Sequence, residues 1–153
     1  MVVADERCEG FLAREREHLA RAFVAAFGVE RGQEALAEAM SYAWEHWERV
    51  EAMQNPVGYL YRVGQSRSRR RRRACLFPSA ADAGTPWVEP GLPRALGGLT
   101  SRQRVAVVLA HGYGWTHREI GDLLGIRPTT VQNHIDRGVA RLRSSLGVTL
   151  DDR

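Results

Sequence analysis

Along the 153-residue chain, apolar positions recur at helical spacing in two blocks separated by a stretch with little periodicity. In FLAREREHLARAFVAAFG, Phe11, Leu12, Leu19, Ala22, Phe23, Ala26 and Phe27 fall on one face of a helix, and Gly28 is a natural stop. QEALAEAMSYAWEHWERVEAM predicts a second helix with Leu36, Ala39, Met40, Ala43, Trp44, Trp47 and Val50 on one stripe. Trp44 and Trp47 on that stripe are expected in the core. The opposite face carries Glu34, Glu38, Glu45 and Glu48. Asn55-Pro56 breaks the pattern, because a residue before proline avoids the helical region. A third helix, VGYLYRVGQSRSRR, runs into a block of six arginines within the seven positions 67–73. Tyr59 and Tyr61 are two apart on it and cannot both face inward, so one is expected in the core and the other on the surface.

Residues 74–94 carry most of the prolines with Gly and Ala, the composition of a linker. The expected architecture is all-α: two small helical domains over 11–73 and 92–148, joined by a Pro/Gly/Ala-rich linker over 74–91. The second domain shows three capping-box patterns, Thr100 with Gln103, Thr116 with Glu119 and Thr129 with Gln132, each marking a helix start. Pro128 suits the first turn of the last helix. Between the last two starts, Ile120, Gly121, Leu124, Gly125, Ile126 and Val131 fit a helix-turn-helix, with Gly125 at the turn.

On the last helix Val131, Ile135, Gly138, Leu142 and Leu146 form the expected buried stripe. At about 100° per residue, Thr129, Asn133, Asp136, Arg137 and Ala140 point away from it. With Thr130, Gln132, Arg141 and Arg143 beside them, they form a surface suited to a major groove. Asn and Gln can bond adenine bidentately, and Arg can do so with guanine or grip phosphate. Asp136 would repel phosphate, so it either accepts from a cytosine or holds Arg137 in place.

Charge divides the chain along the same line. The net charge of +4 splits into −4 over residues 1–66 and +8 over 67–153, and every basic residue is Arg. A basic half suits a polyanion, with Arg favouring planar bidentate contacts, and an acidic half suits a different partner. The start, MVVADERCEG, lacks the basic and apolar regions of a signal peptide, and no apolar run could cross a bilayer. A cytoplasmic, nucleoid-associated protein is expected. Cys8 and Cys75 read as unpaired thiols. His111, His117 and His134 fit no zinc-ligand spacing, so neither a metal nor a cofactor is expected. No phosphate loop, nucleophile elbow or carboxylate pair stands out, and an enzyme with a small-molecule substrate is not expected.

LTSRQRVAVVLAHGYGWTHREIGDLLGIRPTTVQNHIDRGVARLRSSLGV resembles region 4 of bacterial sigma factors of the extracytoplasmic-function (ECF) type. It also resembles the DNA-binding domain of LuxR-type regulators. Gln132 and His134 lean toward the second, since ECF factors place basic residues there. The first module separates the two. EALAEAMSYAWEHWERV followed by NPVGYLYRVGQSRSRR is similar to sigma region 2, whereas a LuxR-type regulator would carry a receiver or ligand-binding domain. On these motifs, over 11–73 and 92–147, the chain is identified as an ECF-type sigma factor.

The resemblance implies a mechanism and its residues. Glu34, Glu38, Glu45 and Glu48 would dock on the β′ clamp helices of core RNA polymerase, with region 4 near the β flap. Tyr59, Tyr61, Arg62, Gln65, Ser66, Arg67, Arg69 and Arg70 would hold the −10 promoter element as single-stranded DNA, work that needs aromatic faces beside cations. Arg67 to Arg70 would continue the helix, with Arg71 to Arg73 as a looser phosphate clamp. Thr129, Thr130, Gln132, Asn133, Arg137 and Arg141 would read the −35 element. An anti-sigma partner is typical of the family, and polymerase supplies the chemistry. Ala37 replaces a family Gln, Ser66 a family Asn, and Arg67, Arg69 and Arg70 stand where apolar residues and an Asp are usual. These departures bear on promoter melting. The rival readings are a stand-alone LuxR-like regulator and a sigma-like polymerase-binding protein without initiation activity.

Overall fold

Small side chains decide how the first helices meet. The computed structural model describes residues 2–68 and 91–147. Helix α1 (Val2–Phe27) starts well before Phe11 and buries Cys8, Leu19, Ala22, Phe23, Ala25 and Ala26. Helix α2 (Val29–Glu45) answers with Gly32, Ala35, Leu36, Ala39 and Ala43, so the two backbones lie close. The single helix expected over 33–53 breaks at His46, with φ −126° and ψ 34°, and resumes as α3 (Trp47–Glu51). That break re-phases the stripe. Trp47 and Val50 turn into the core, whereas Trp44, expected there, is 49% exposed. Periodicity counted through one unbroken helix put both tryptophans on the same side; the kink separates them.

Helix α4 (Pro56–Ser68) crosses α1 and α2, burying Gly58, Leu60, Tyr61 and Gly64. A Cβ at Gly64 would stand 2.8 Å from the Ala35 carbonyl oxygen, so the crossing needs glycine there. Arg31 donates to the Ser68 carbonyl at 2.9 Å and holds the last turn of α4.

The second group comprises α5 (Leu92–Gly97), α6 (Ser101–Val107), a π-helical turn (Val108–Gly112), α7 (His117–Leu124) and α8 (Pro128–Leu146). The Thr100–Gln103 and Thr116–Glu119 capping boxes both form. The third does not. Helix α8 begins two residues earlier, with Arg127 as its cap and Pro128 in the first turn, so Thr129 and Gln132 lie inside the helix.

One apolar core runs through both groups, from Leu19, Phe23 and Leu60 to Val105, Leu109, Ile120, Val131 and Ile135. Burying each such side chain contributes about 1.5–3 kcal/mol. The seam between the groups is also polar. Arg104 of α6, 4% exposed, donates from Nε to the Ala25 carbonyl at 2.9 Å and from Nη2 to Ala26 at 2.5 Å. Its Nη1 donates to Leu99 at 3.1 Å. Ala25 and Ala26 lie in the last turn of α1, where carbonyls lack intrahelical donors, so a guanidinium from the other group caps the helix. Around it, His18 meets Trp115 edge-on at 4.9 Å and the Arg21 guanidinium sits 4.6 Å from the centre of the Tyr113 ring. Asn55 donates to the Asp122 carbonyl, joining α4 to α7. Among the described residues, no helix is long and apolar enough to cross a membrane.

Candidate nucleic-acid interface

The helix-turn-helix is built by α7 and α8. The Thr116 hydroxyl accepts from the Glu119 amide at 3.1 Å, and the Glu119 carboxylate accepts from the Thr116 amide at 2.8 Å. This fixes the start of α7. Its end is fixed by Gly125, whose φ of 68° is a left-handed conformation that costs other residues about 1–2 kcal/mol. The Ile126 amide then donates back to the Gly121 carbonyl at 3.0 Å, closing the turn. Ile120, Leu123, Val131 and Ile135 lock the crossing from beneath. Of the expected stripe on α8, Val131, Ile135 and Gly138 are buried, and Leu142 and Leu146 are half-buried.

What α8 offers to solvent is polar. Thr129, Gln132, Asn133, Asp136, Arg137, Ala140, Arg141 and Arg143 are exposed, and Thr130 is half-buried. Within the chain Asp136 accepts from Gln132 Nε2 at 2.7 Å rather than holding Arg137. Arg141 reaches sideways to the Gln103 side-chain oxygen at 3.4 Å, so it stands at the α6 edge of the face. Burial first, and then the charges of Arg102 and Arg137, lower the pKa of half-buried His134 and favour its neutral form.

The first group presents a second surface. Glu34, Glu38, Glu45 and Glu48 are all exposed, but the break at His46 puts Glu48 on α3. Glu38 pairs with Arg67 at 2.8 Å, and the Arg67 guanidinium lies 5.4 Å from the centre of the Tyr42 ring. Tyr42 and Tyr59 share a hydroxyl hydrogen bond at 2.9 Å. Expected acidic and basic sites therefore meet in one cluster, Glu38–Arg67–Tyr42–Tyr59. Tyr42 was absent from the expected set; its only sequence signal is an aromatic one turn from Glu38.

Tyr61 needs correction. It is 2% exposed, stacks on Phe23 at 5.2 Å, and burial pushes its phenol up to about 12. It is a core residue and offers no face to DNA in this fold, while half-buried Tyr59 takes the outer position. Arg62, Ser66 and Arg67 are exposed and Gln65 is half-buried. Arg69 and Arg70, with Arg71 to Arg73, lie outside the described residues, as does Cys75. Cys8 is buried and unpaired. His111 is exposed and His117 half-buried. Among the described residues, no group of three His, Cys, Asp or Glu could hold a metal ion.

Comparison with known proteins bears on the second group most directly. Residues 91–142 match the family described as sigma-70, region 4. Among solved structures, the sigma factor RpoE of Bartonella quintana, in complex with the anti-sigma factor NepR, aligns with a TM-score of 0.63 at 17% identity. That alignment covers 95% of this chain and 98% of RpoE. CnrH, in complex with the cytosolic domain of CnrY, aligns with a TM-score of 0.62 at 23% identity, covering 92% of this chain and 87% of CnrH. At these identities the two likenesses are of fold. No curated protein matches the chain. Residues 91–142 of the second helical group thus match sigma-70 region 4, and the chain as a whole shares the fold of the sigma factor RpoE and of CnrH.

Proposed function

We propose that the chain binds core RNA polymerase and directs it to promoters, with α8 reading the −35 element and the α2–α4 group docking polymerase and engaging the −10 element. The observation that carries this reading is the exposed polar face of α8 on a locked helix-turn-helix, within the segment that matches sigma region 4. Asn133 and Arg137 sit near the middle of that face and have the donors and acceptors to read base edges. The exposed glutamates of α2 and α3 suit a basic partner surface, and the Glu38–Arg67–Tyr42–Tyr59 cluster sets a cation beside aromatic rings, as single-strand binding requires. The domain limits are 11–73 and 92–148. The bond-making chemistry belongs to polymerase, in the cytoplasm. An anti-sigma factor is an expected partner, because RpoE is known in complex with one.

The packed arrangement fits only part of this cycle. Elements centred at −10 and −35 are on the order of 80 Å apart along duplex DNA at about 3.4 Å per base pair. Two touching modules of this size, each with a radius of gyration of about 10 Å, span on the order of 50 Å. The Arg104 seam therefore parts when both elements are held. Run-off transcription with core polymerase freed of other sigma factors tests the reading: transcripts from a cognate promoter are expected. A protein that does not bind core polymerase would refute it, and binding without transcripts would favour a polymerase-binding protein that does not initiate.

A further inference from the structure

A carboxylate on a DNA-facing helix works against binding, since it repels phosphate at every sequence. Asp136 is exposed on α8, one turn beyond Gln132, and accepts from Gln132 Nε2 at 2.7 Å. An ionised carboxylate only accepts, so the nitrogen end of the Gln132 amide, and not its oxygen, must face it. The bond therefore settles two things a free surface glutamine leaves open: which way the amide is flipped, and along which direction its long side chain lies. From the Val131–Ile135–Gly138 stripe, Gln132 alone would project to the flank of the helix. Asp136 lies about 40° further round, toward the face centred on Asn133. The bond draws the amide onto that face.

We propose that Asp136 is a positioning residue that makes Gln132 an adenine reader. The amide nitrogen has two protons. The one pointing away from Oε1 goes to Asp136, which leaves the other proton and Oε1 as an adjacent donor–acceptor pair. That pair matches the N7 acceptor and N6 donor of adenine in the major groove. Without Asp136, Gln132 rotates freely and can present either end, so it contacts bases without preferring one. The two alternatives open to Asp136 from sequence, a cytosine contact or a hold on Arg137, involve different atoms and predict different outcomes.

This inference rests on α8 reading promoter DNA, and the test separates the two. Holoenzyme is assembled from the full chain and core polymerase, and promoters randomised upstream are selected by binding. The chains compared are the unaltered protein, Gln132→Ala, Asp136→Ala and Asp136→Asn. The side chains are exposed, and unchanged circular dichroism and thermal melting verify that each variant folds. The unaltered protein is expected to prefer adenine at one upstream position by about 5-fold or more, the lower range of a bidentate contact. Gln132→Ala and Asp136→Ala should both lose that preference at the same position. Asp136→Asn should keep it, because its side-chain oxygen still accepts from Gln132. Both Asp136 variants remove one negative charge and share any sequence-independent tightening that follows, so the difference between them isolates the hydrogen bond from the charge. The proposal fails if Asp136→Ala keeps the adenine preference that Gln132→Ala loses, if it changes preference at a different base, or if Gln132→Ala changes nothing. Absence of any upstream preference in the unaltered protein overturns the promoter reading along with it.

Discussion

Replacing Arg104 with Met removes the charged head while keeping a side chain of similar length in the seam. Three hydrogen bonds are lost: 2.9 Å to Ala25, 2.5 Å to Ala26 and 3.1 Å to Leu99. Bonds from a charged donor are worth about 1.5–3 kcal/mol each, which sets a gross loss of about 4–9 kcal/mol. Against this stands the cost of burying the guanidinium, several kcal/mol, which Met does not incur. Burial also pulls the Arg104 pKa below its ordinary value, the mark of that cost. A net loss of about 2–4 kcal/mol follows, a large share of the total for a protein of this size. Two of the three bonds cross between the helical groups, so cooperativity should suffer as well as stability. Urea unfolding followed by far-ultraviolet circular dichroism should show a lower midpoint and a shallower or split transition, as the groups unfold separately. Arg104→Lys keeps the charge but gathers its donors on one nitrogen, whereas the guanidinium meets the three carbonyls from three separate nitrogens, so it should fall between. An Arg104→Met protein within about 0.5 kcal/mol of the parent, with the same slope, would refute the capping role assigned to this guanidinium.

Gly64→Ala should destabilise by about 2–4 kcal/mol, because its Cβ would stand 2.8 Å from the Ala35 carbonyl oxygen at the α2–α4 crossing; the same denaturation assay reads it. Gly125→Ala should cost about 1–2 kcal/mol through its φ of 68°, and should weaken promoter binding by disturbing the angle between α7 and α8. Tyr61, held near 12 by burial against an ordinary 10, favours its neutral form when folded, so its contribution is present below pH 10 and is lost as pH rises through 12. By pH 11, halfway through that window, the parent should have lost about 1.4 kcal/mol that Tyr61→Phe does not, as measured by stability at pH 9, 10 and 11 with absorbance titration of the phenols. Asn133→Ala or Arg137→Ala should alter which −35 sequence holoenzyme prefers by about 1–3 kcal/mol per bidentate contact, seen in competition between promoter variants.

Much of this protein was legible one residue at a time. Helical periodicity, the Thr100 and Thr116 capping boxes, and Gly125 between two apolar runs are local signals, each acting within about one turn. They were enough to place α6, α7 and the buried stripe of α8, and to leave Asn133 and Arg137 outward. Other outcomes turned on partners remote in sequence. The kink at His46 exposed Trp44 and buried Trp47, and Tyr61 rather than Tyr59 went inward because Phe23 waits there. Arg104 looked like one more arginine in a basic half, yet it lies buried against carbonyls 78 and 79 residues away in the chain. Nothing in its neighbourhood could signal this, because a helix C-terminus exposes acceptors only in space. Glu38 of the acidic face likewise met Arg67 of the basic run, whereas the bond from Gln132 to Asp136 spans a single helical turn and is as local as the capping boxes. The chain's local chemistry thus determined which helices form and which faces are polar. The tertiary structure alone decided which charges are spent within the protein and which remain for a partner, since that depends on packing that brings distant groups within hydrogen-bonding reach.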